Sequence, residues 1–215
     1  MVDRPALTEE EQARRRHLMV ERQIRRRGIS DRHILEAMGA VPRHRFVAPR
    51  LRSRAYEDGP LPIGDGQTIS QPYIVARMAE LAEIGPADRV LDVGTGSGYA
   101  AAVYSLLCRE VVSIEIRPEL AETARRRLEE LGYDNVTVIS GGLEAVAGQP
   151  PFDAILVAAA ASRIPESLEG LLAEGGRLVI PIGSPYSQRL WTVRRLAGEL
   201  ERHSHEPVAF VPLID

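Results

Sequence analysis

Three glycines at alternate positions, followed by an acidic residue after the next apolar run, form the most informative pattern in the sequence. The turn Gly94-Thr95-Gly96-Ser97-Gly98 follows the apolar run 90–93, and Glu115 lies 21 residues after Gly94. Glycines permit a tight turn and let a ligand approach the backbone without an intervening Cβ atom. A carboxylate at the end of the next strand can accept hydrogen bonds from both hydroxyls of a ribose. The pattern predicts an adenosine-binding corner. Its predicted contacts are Gly94, Thr95, Gly96, Gly98, Glu115 and Ile116.

The glycine spacing and the residue before the turn indicate which adenosine ligand binds there. The dinucleotide fingerprint is G-x-G-x-x-G, whereas this turn has Gly94-x-Gly96-x-Gly98. Asp92 immediately precedes the turn, where its charge would repel phosphates and help to hold a cationic ligand. S-adenosyl-L-methionine has no phosphate and carries a sulfonium and an ammonium group. We therefore predict this cofactor, with Asp92 contributing to its site, and disfavour a nicotinamide oxidoreductase.

Strands and helices that alternate from residue 89 onwards must position this corner. Near-continuous apolar strands separated by helices predict a parallel sheet covered on both faces. Two further strands, 190–196 and 208–213, are joined by the polar link 197–207 and are expected to form an antiparallel edge pair. The fold class is α/β, a doubly wound Rossmann-like sheet with an N-terminal helical addition. The predicted strands of the sheet are 90–93, 111–116, 136–139, 153–157 and 177–182, and the helices between them are 99–107 and 118–131.

The first 69 residues carry helix signals and then an irregular stretch. Thr8 and Glu11 fit a capping box for a helix that ends at Gly28, and a second helix runs from Ser30-Asp31 towards Pro42. Residues 43–69 look irregular. Ser70 is expected to be the N-cap of a helix over 73–82. We predict a single domain over 1–215, with 1–69 as helical addition and substrate-side loop and 70–215 as the Rossmann-like core.

Composition excludes several classes of protein. The single cysteine, Cys108, cannot form an internal disulfide or a thiolate metal cluster, and no metal site is expected. Lysine is absent, which removes Schiff-base and P-loop chemistry. Residues 1–54 hold 14 arginines against seven acidic residues, but the pI near 6.0 opposes a general nucleic-acid binder. The longest apolar run, 154–161, is too short to span a membrane. Residues 1–4 and the glutamates at 9–11 show no signal-peptide core, so a cytoplasmic location is expected.

Several segments together resemble the protein-L-isoaspartate O-methyltransferase family. The resemblance runs from about Met19 to the C-terminus, and residues 68–72, Thr-Ile-Ser-Gln-Pro, are its most specific part because ordinary methyltransferases lack them. The segments that carry it are 41–47, 56–72, 90–99, 152–161, 175–183 and 210–213. The resemblance implies a Rossmann-like class I methyltransferase that moves a methyl group from S-adenosyl-L-methionine to the free carboxylate of an isoaspartyl residue in a damaged protein. Isoaspartyl proteins and peptides are then the partners, and a monomer is expected.

The resemblance also implies roles for individual residues. Ser70 matches the serine treated in the family as the active-site residue. Gln67, Thr68 and Ile69 accompany it at the cofactor, and Gln188 and Val211 match the substrate-binding region. After the third strand the family has Gly-Asp-Gly, whose Asp reads the adenine amino group, whereas this chain has Ser140-Gly141-Gly142. Gly142 and Leu143 are expected to line the adenine pocket through their backbone, with weaker cofactor affinity unless Glu144 substitutes.

The chemistry needs little from the protein beyond alignment. The free acid of an isoaspartyl residue is an α-carboxyl group, with a reference pKa of about 3.3–3.7, so it arrives ionised at neutral pH. Ser70 can donate its hydroxyl to this carboxylate. Two other functions stay open: a methyltransferase for an aspartate carboxylate of a dedicated peptide, and a non-catalytic S-adenosylmethionine-binding protein.

Overall fold

The computed structural model describes residues 7–214, and the structural statements below concern these residues. Residues 1–4, which contributed to the signal-peptide expectation, lie outside the described range. The predicted α/β fold class is confirmed by a central, mostly parallel sheet, which the N-terminal helices precede in the chain. The division of the chain at residues 69 and 70 stays a prediction.

The N-terminal part is helical, as the capping signals predict. The Thr8 side chain accepts from the backbone N–H of Glu11 while the Glu11 carboxylate accepts from that of Thr8, which completes the capping box. The helix passes through a π-helical turn and ends at Gly28, whose φ of 102° is left-handed. Asp31 caps the second helix through the N–H groups of His33 and Ile34. The helices are α1 (Glu9–Met19, with the π turn Val20–Ile24 and the 3-10 turn Arg25–Arg27) and α2 (Arg32–Ala40).

The stretch 43–69 is more ordered than its glycines and prolines suggest. It contains 3-10 turns at Arg43–Phe46 and Pro49–Arg54 and an antiparallel hairpin of β1 (Leu61–Gly64) and β2 (Gln67–Ile69). The expectation of irregular structure there was therefore wrong in part. These elements are too short to show a hydrophobic period, and Leu61 and Ile69 pair across the hairpin as its buried members.

A seven-stranded sheet follows within the described residues, in the order β5-β4-β3-β6-β7-β8-β9. Strands β3 to β7 are parallel, and β8 and β9 add antiparallel. Val93 pairs with both Ile114 and Val157, and Glu115 pairs with Ser140, so these strands end along one edge. The remaining elements are α3 (Pro72–Leu81), β3 (Arg89–Val93), α4 (Tyr99–Ser105), β4 (Glu110–Glu115), α5 (Pro118–Glu130), β5 (Val136–Ser140), a 3-10 turn (Leu143–Val146), β6 (Phe152–Val157), α6 (Glu166–Gly170), β7 (Leu172–Ser184), β8 (Ser187–Leu196) and β9 (Glu199–Val208).

The edge hairpin exists, but its second strand is not the predicted one. Strand β9 spans Glu199–Val208, most of the segment taken for a polar link, whereas the predicted strand 208–213 leaves the sheet after Val208. Strand β9 is the edge strand, and most of its side chains are exposed. Polar residues are therefore tolerated along nearly its whole length, and no apolar alternation marks it.

Apolar side chains cover both faces of the sheet, as the buried strands predict. On one face α1 to α5 pack against residues such as Val90 and Val111. The other face is covered more thinly, by the short helix α6 and the 3-10 turn after β5, through Leu168 and Val146. The sheet thus presents the carboxyl ends of β3 to β6 as a fixed edge on which a site can be built.

Candidate functional site

The glycine turn after β3 is fixed by the neighbouring strand. The N–H groups of Gly94 and Thr95 both donate to the carbonyl of Ile114, at 2.9 and 3.1 Å. Gly94 has a φ of 95° and Gly96 a φ of 53°, a region that favours glycine. Gly98 serves a different purpose from the predicted one, because a Cβ atom there would lie 3.2 Å from Leu128 Cδ1 of α5. Gly98 therefore allows helix packing and is not brought to the cavity described below.

Glu115 is held as a rigid wall residue at the end of β4. It is 6% exposed; its Oε2 accepts from the N–H of Gly96 at 2.8 Å and its Oε1 from that of Arg117 at 3.0 Å. Each carboxylate oxygen has about two acceptor positions, so each keeps one for a ligand. The carboxylate is thus oriented before a ligand arrives, with capacity for two hydroxyl donors.

Asp92 lies beneath the turn and not on a cavity wall. It is 1% exposed, and its Oδ2 accepts from Ser113 Oγ at 2.7 Å, while Ser113 Oγ is 2.6 Å from Thr95 Oγ1. Burial raises the pKa of Asp92 to about 6. Asp92 therefore does not line the cavity described below, and its expected contact with a cationic ligand stays a prediction. It acts on the turn through Ser113 and Thr95, because β-strand side chains alternate and that of Asp92 points into the interior.

A cavity of about 950 Å³ opens at this edge of the sheet. It brings together most of the predicted site, from the β1–β2 hairpin, the turn after β3 and the ends of β4 and β5. Asp92, Gly98 and Gln188 are the predicted residues that do not line it. The predicted residues on its walls are Gln67, Thr68, Ile69, Ser70, Gly94, Thr95, Gly96, Glu115, Ile116, Gly142, Leu143 and Val211.

The loop after β5 has an acidic side chain folded back onto it. Glu144 Oε1 accepts from the N–H of Gly142 at 2.8 Å, and backbone hydrogen bonds lower the pKa of Glu144. A Cβ atom built on Gly142 would lie 2.6 Å from Glu144 Oε2. The Glu144 carboxylate thus occupies the place where a side chain at position 142 would begin. It lines the same cavity as the apolar side chains of Ile116 and Leu143.

Ser70 lines the opposite wall but does not cap α3. The helix begins at Pro72 with Gln71 at the N-cap position, and Gln71 makes no side-chain capping bond. The N-cap expectation for Ser70 was therefore wrong by one residue. Within residues 7–214 the Ser70 hydroxyl makes no hydrogen bond, so it is available to a ligand in the cavity.

Arg43 holds the segment that ends at Ser70, and sequence reasoning missed it. Its side chain is fully buried and donates to three carbonyls: Ala55 at 2.6 Å, Gly59 at 3.2 Å and Ser70 at 2.9 Å. Arg43 belongs to one of the segments that carry the family resemblance. As one of 14 arginines in the first quarter of the chain, however, it had no signal of burial.

Residues 209–213, here called the strap, run along the cavity after β9. The Val211 carbonyl accepts from the N–H of Ala160, and the Leu213 N–H donates to the Ala160 carbonyl, both at 2.8 Å. The Gln188 amide makes two bonds to the Phe210 backbone, at 3.1 and 2.7 Å, and is 7% exposed. Gln188 therefore holds the strap and does not line the cavity, whereas Val211 does; a substrate-binding role stays a prediction for both residues.

Charged and aromatic groups from the N-terminal part reach the cavity mouth. The guanidinium of Arg27 lies 3.6 Å from the centre of the Tyr73 ring and 3.4 Å from Asp58 Oδ2. Gln71 Nε2 donates to Asp58 Oδ1 at 2.6 Å. Arg27 and Tyr73 both line the cavity and were not predicted. Their positions follow from the packing of α3 against the first helix, which local sequence does not reveal.

The described part of the chain contains neither a cluster of metal ligands nor a membrane-spanning helix. Nowhere in 7–214 do three or more His, Cys, Asp or Glu side chains come together as a metal-binding group. None of the helices in that range combines the length and apolarity needed to span a bilayer.

Comparisons with known proteins give a consistent result. A family model described as protein-L-isoaspartate(D-aspartate) O-methyltransferase matches residues 13–215. The protein-L-isoaspartate O-methyltransferase of Koribacter versatilis (strain Ellin345) is 55% identical over 197 residues, covering 91% of this chain and 89% of the relative. That of Gloeobacter violaceus is 51% identical over 197 residues, covering 91% and 96%. A Plasmodium falciparum structure assigned to the same activity, in complex with S-adenosyl-L-homocysteine, has a TM-score of 0.81 at 30% identity and covers 93% of this chain and 98% of that one.

Proposed function

Because the chain belongs to the protein-L-isoaspartate(D-aspartate) O-methyltransferase family, we propose that it transfers a methyl group from S-adenosyl-L-methionine to the free α-carboxylate of L-isoaspartyl residues in damaged proteins and peptides. This methylation starts their repair. One observation carries the proposal: the oriented carboxylate of Glu115 lines the same cavity as the Ser70 hydroxyl, which bonds to no group within residues 7–214. The carboxylate suits an adenosine and the hydroxyl an anionic substrate.

The cavity residues fit the proposed cofactor. Glu115 retains an acceptor position on each oxygen for the ribose hydroxyls. Ile116 and Leu143 offer apolar surfaces for the adenine ring, with the backbone of Gly142 beside it. Gly94 and Gly96 bring backbone close to the ligand, and residues 67–70 face the methionine end. When bound, S-adenosyl-L-methionine supplies an electrophilic methyl group on a positively charged sulfur.

The proposed substrate brings its own nucleophile. An α-carboxyl group has a reference pKa of about 3.3–3.7, so it is ionised at neutral pH and needs no general base. Ser70 donates its hydroxyl to one carboxylate oxygen and thereby orients the other towards the methyl group. The enzyme's contribution is chiefly alignment, which can supply roughly 7–11 kcal/mol in favourable cases. The strap and the β1–β2 hairpin exclude water from the weak nucleophile.

Peptide substrates are bound through their backbone in this proposal, because isoaspartyl damage arises in many sequence contexts. Val211 on the strap is the residue that we propose contacts the peptide, and Gln188 supports it from behind through the Phe210 backbone. A backbone-reading surface of this kind has little dependence on neighbouring side chains. It accounts for a broad substrate range with one site.

The decisive experiment uses methyl-labelled S-adenosyl-L-methionine and two peptides that differ only in an isoaspartyl or an aspartyl linkage. We expect base-labile label on the isoaspartyl peptide alone, because only that linkage leaves an α-carboxylate free at the damaged residue. Label on the aspartyl peptide would favour the dedicated-peptide methyltransferase. Label on neither, with S-adenosyl-L-homocysteine still bound, would favour the non-catalytic binding protein. Either result would overturn the proposal.

The other parts of the proposal concern its setting. We propose that the protein acts as a monomer in the cytoplasm, on polypeptides and not on nucleic acids or membranes. Light scattering at the enzyme concentration of the assay tests whether the protein is a monomer. An active dimer that loses its activity when dilution dissociates it would contradict the proposal.

A further inference from the structure

The buried guanidinium of Arg43 is hydrogen-bonded to the Ser70 carbonyl, although Arg43 itself does not line the cavity. Arg43 lies in the 3-10 turn after α2, and its side chain has no exposed surface. Its three donor nitrogens each take a different carbonyl, from Ala55, Gly59 and Ser70. These carbonyls span the whole segment 55–70, so one planar group fixes both its beginning and its end.

Arg43 has no acidic partner among residues 7–214. None of their carboxylates comes within 4 Å of its guanidinium, and the ionisable groups that influence it most are the hydroxyls of Tyr99 and Tyr56. Burial lowers the pKa of Arg43 to about 10, which leaves it charged at neutral pH. A buried charge without a counter-charge is costly.

Three arginines that keep some exposure are paired with carboxylates. Arg77 pairs with Glu206 and Glu80, Arg89 with Glu110, and Arg177 with Asp88. Arg43 is more deeply buried than these three, and in place of a carboxylate it has three carbonyls and the face of the Tyr99 ring, 5.1 Å away. One of those carbonyls belongs to Ser70, the residue assigned to the incoming anion.

We infer that Arg43 is a positioning residue for methyl transfer. Its guanidinium draws the Ser70 carbonyl away from the cavity, and its charge gives that end of the cavity a positive potential that attracts the substrate carboxylate. The inference rests on the proposed function, since the anion is the substrate of that reaction. A carbonyl oxygen turned towards an anion would repel it, and Arg43 removes that oxygen by hydrogen bonding. In a buried, weakly polar setting the charge acts over a longer range than it would in water.

The planar fork explains why arginine is needed in place of lysine. Lysine carries the same charge on a single nitrogen, which can reach one or two of the three carbonyls but not all three in a fixed plane. A lysine at position 43 would therefore keep the potential and loosen the segment. An uncharged glutamine also has a single donor nitrogen, so it loosens the segment and loses the potential as well. The difference between the two variants therefore reports the potential alone.

The test measures binding of two peptides to each variant: the isoaspartyl peptide, and the same peptide with that α-carboxylate converted to a neutral carboxamide. In Arg43→Gln we expect the charged peptide to bind roughly tenfold more weakly and the carboxamide to change by less than about twofold, because only the anion senses the lost charge. In Arg43→Lys we expect the preference for the charged peptide to persist while kcat falls roughly tenfold through misalignment. Equal weakening of both peptides in either variant would show a merely structural role and overturn the inference.

Controls separate this result from misfolding and from failure of the proposed function. Binding of S-adenosyl-L-homocysteine shows that the cofactor side of a variant is intact. If Arg43→Gln no longer binds this ligand, the inference is tested with Arg43→Lys alone, through the ratio of its affinities for the isoaspartyl and carboxamide peptides. Arg177→Gln is the matched control, because Arg177 also donates to backbone carbonyls but is paired with Asp88. Its peptide ratio is expected to equal that of the parent. A parent protein that does not methylate the isoaspartyl peptide would refute the proposed function itself, before any variant is compared.

Discussion

The two walls of the cavity are held in different ways. On the cofactor wall, the glycine turn is fixed to β4 by hydrogen bonds from its backbone N–H groups, from Gly94 to the Ile114 carbonyl and from Gly96 to the Glu115 carboxylate. On the Ser70 wall, the segment 55–71 is held by side chains from outside it, chiefly Arg43 and Arg27. The first wall depends on a short motif in a sheet, whereas the second depends on single side chains. Changes to the two walls should therefore have separable consequences.

The largest expected effect is on the cofactor wall. Glu115→Ala leaves the N–H groups of Gly96 and Arg117 without partners and removes the proposed ribose contacts. We expect S-adenosyl-L-homocysteine to bind at least about 100-fold more weakly, since several bonds to a charged group are lost at once. Isothermal calorimetry measures this. A loss below threefold would mean that the adenosine lies elsewhere.

A pH test concerns the carboxyl group hidden beneath the same turn. The pKa of Asp92 in the folded protein is raised to about 6 from an ordinary value of 3.8, so the native state holds a proton that the unfolded chain has released. Raising the pH from about 4 to 6 therefore removes stability, by at most about 3 kcal/mol, and the cost is constant above that range.

Asp92→Asn isolates this contribution, because all other groups titrate alike in parent and variant. We expect the parent's free energy of unfolding, relative to the variant's, to fall as the pH rises from 4 to 7. Urea unfolding at several pH values provides the measurement. A difference between the two proteins that does not change with pH would show that Asp92 titrates normally.

On the Ser70 wall, Ser70→Ala should lower turnover and leave stability unchanged. Loss of a hydrogen bond to a charged group is worth about 1.5–3 kcal/mol, so kcat is expected to fall roughly tenfold to a hundredfold. The melting temperature should stay at the parent value, because the hydroxyl neither caps α3 nor bonds within residues 7–214. S-adenosyl-L-homocysteine affinity serves as the control. Parent-level turnover would exclude the catalytic role.

The smallest effect is expected in the loop after β5. An Asp at position 142 can reach a buried adenine donor only if Glu144 moves, because the Glu144 carboxylate already fills that space. We expect Gly142→Asp to change S-adenosyl-L-homocysteine affinity little by itself and to raise it about tenfold in combination with Glu144→Ala. If neither Gly142→Asp nor the double variant binds S-adenosyl-L-homocysteine more tightly than the unchanged protein does, the adenine ring does not contact this loop.

The sheet was predictable because each strand carries its own signal. The apolar runs at 90–93 and 111–116 became β3 and β4 with boundaries shifted by one residue, since strands buried on both faces show nothing but apolar residues. Strand β9 escaped because an edge strand exposed along its length carries no such signal. The strap, which follows β9, resembles a strand in sequence because it is apolar, but its residues line the cavity instead of pairing in the sheet.

The same contrast holds for the residues of the site: those fixed by local spacing could be predicted, and those fixed by tertiary packing could not. Glu115 and the glycines at 94 and 96 could be placed from their spacing, because a turn between adjacent parallel strands puts them at one edge whatever the rest of the chain does. Asp92 and Gln188 have residue types suited to binding, but the tertiary structure turns them into the interior, towards Ser113 and the Phe210 backbone. Residue type alone does not say whether a polar side chain faces a ligand or supports the residue that does.

The sequence by itself determined the parallel strands β3 to β7, the helices α3 to α5, the glycine turn beside Glu115 and, through residues 68–72, the family resemblance. These are encoded locally, in apolar period, glycine spacing and a short motif. Only the tertiary structure decided that Arg43 is buried without a carboxylate, that Ser70 does not cap its helix, and that Glu144 folds onto Gly142. Each of these depends on which distant groups share a small volume, and hydrogen bonds and burial are set by that proximity and not by neighbours along the chain.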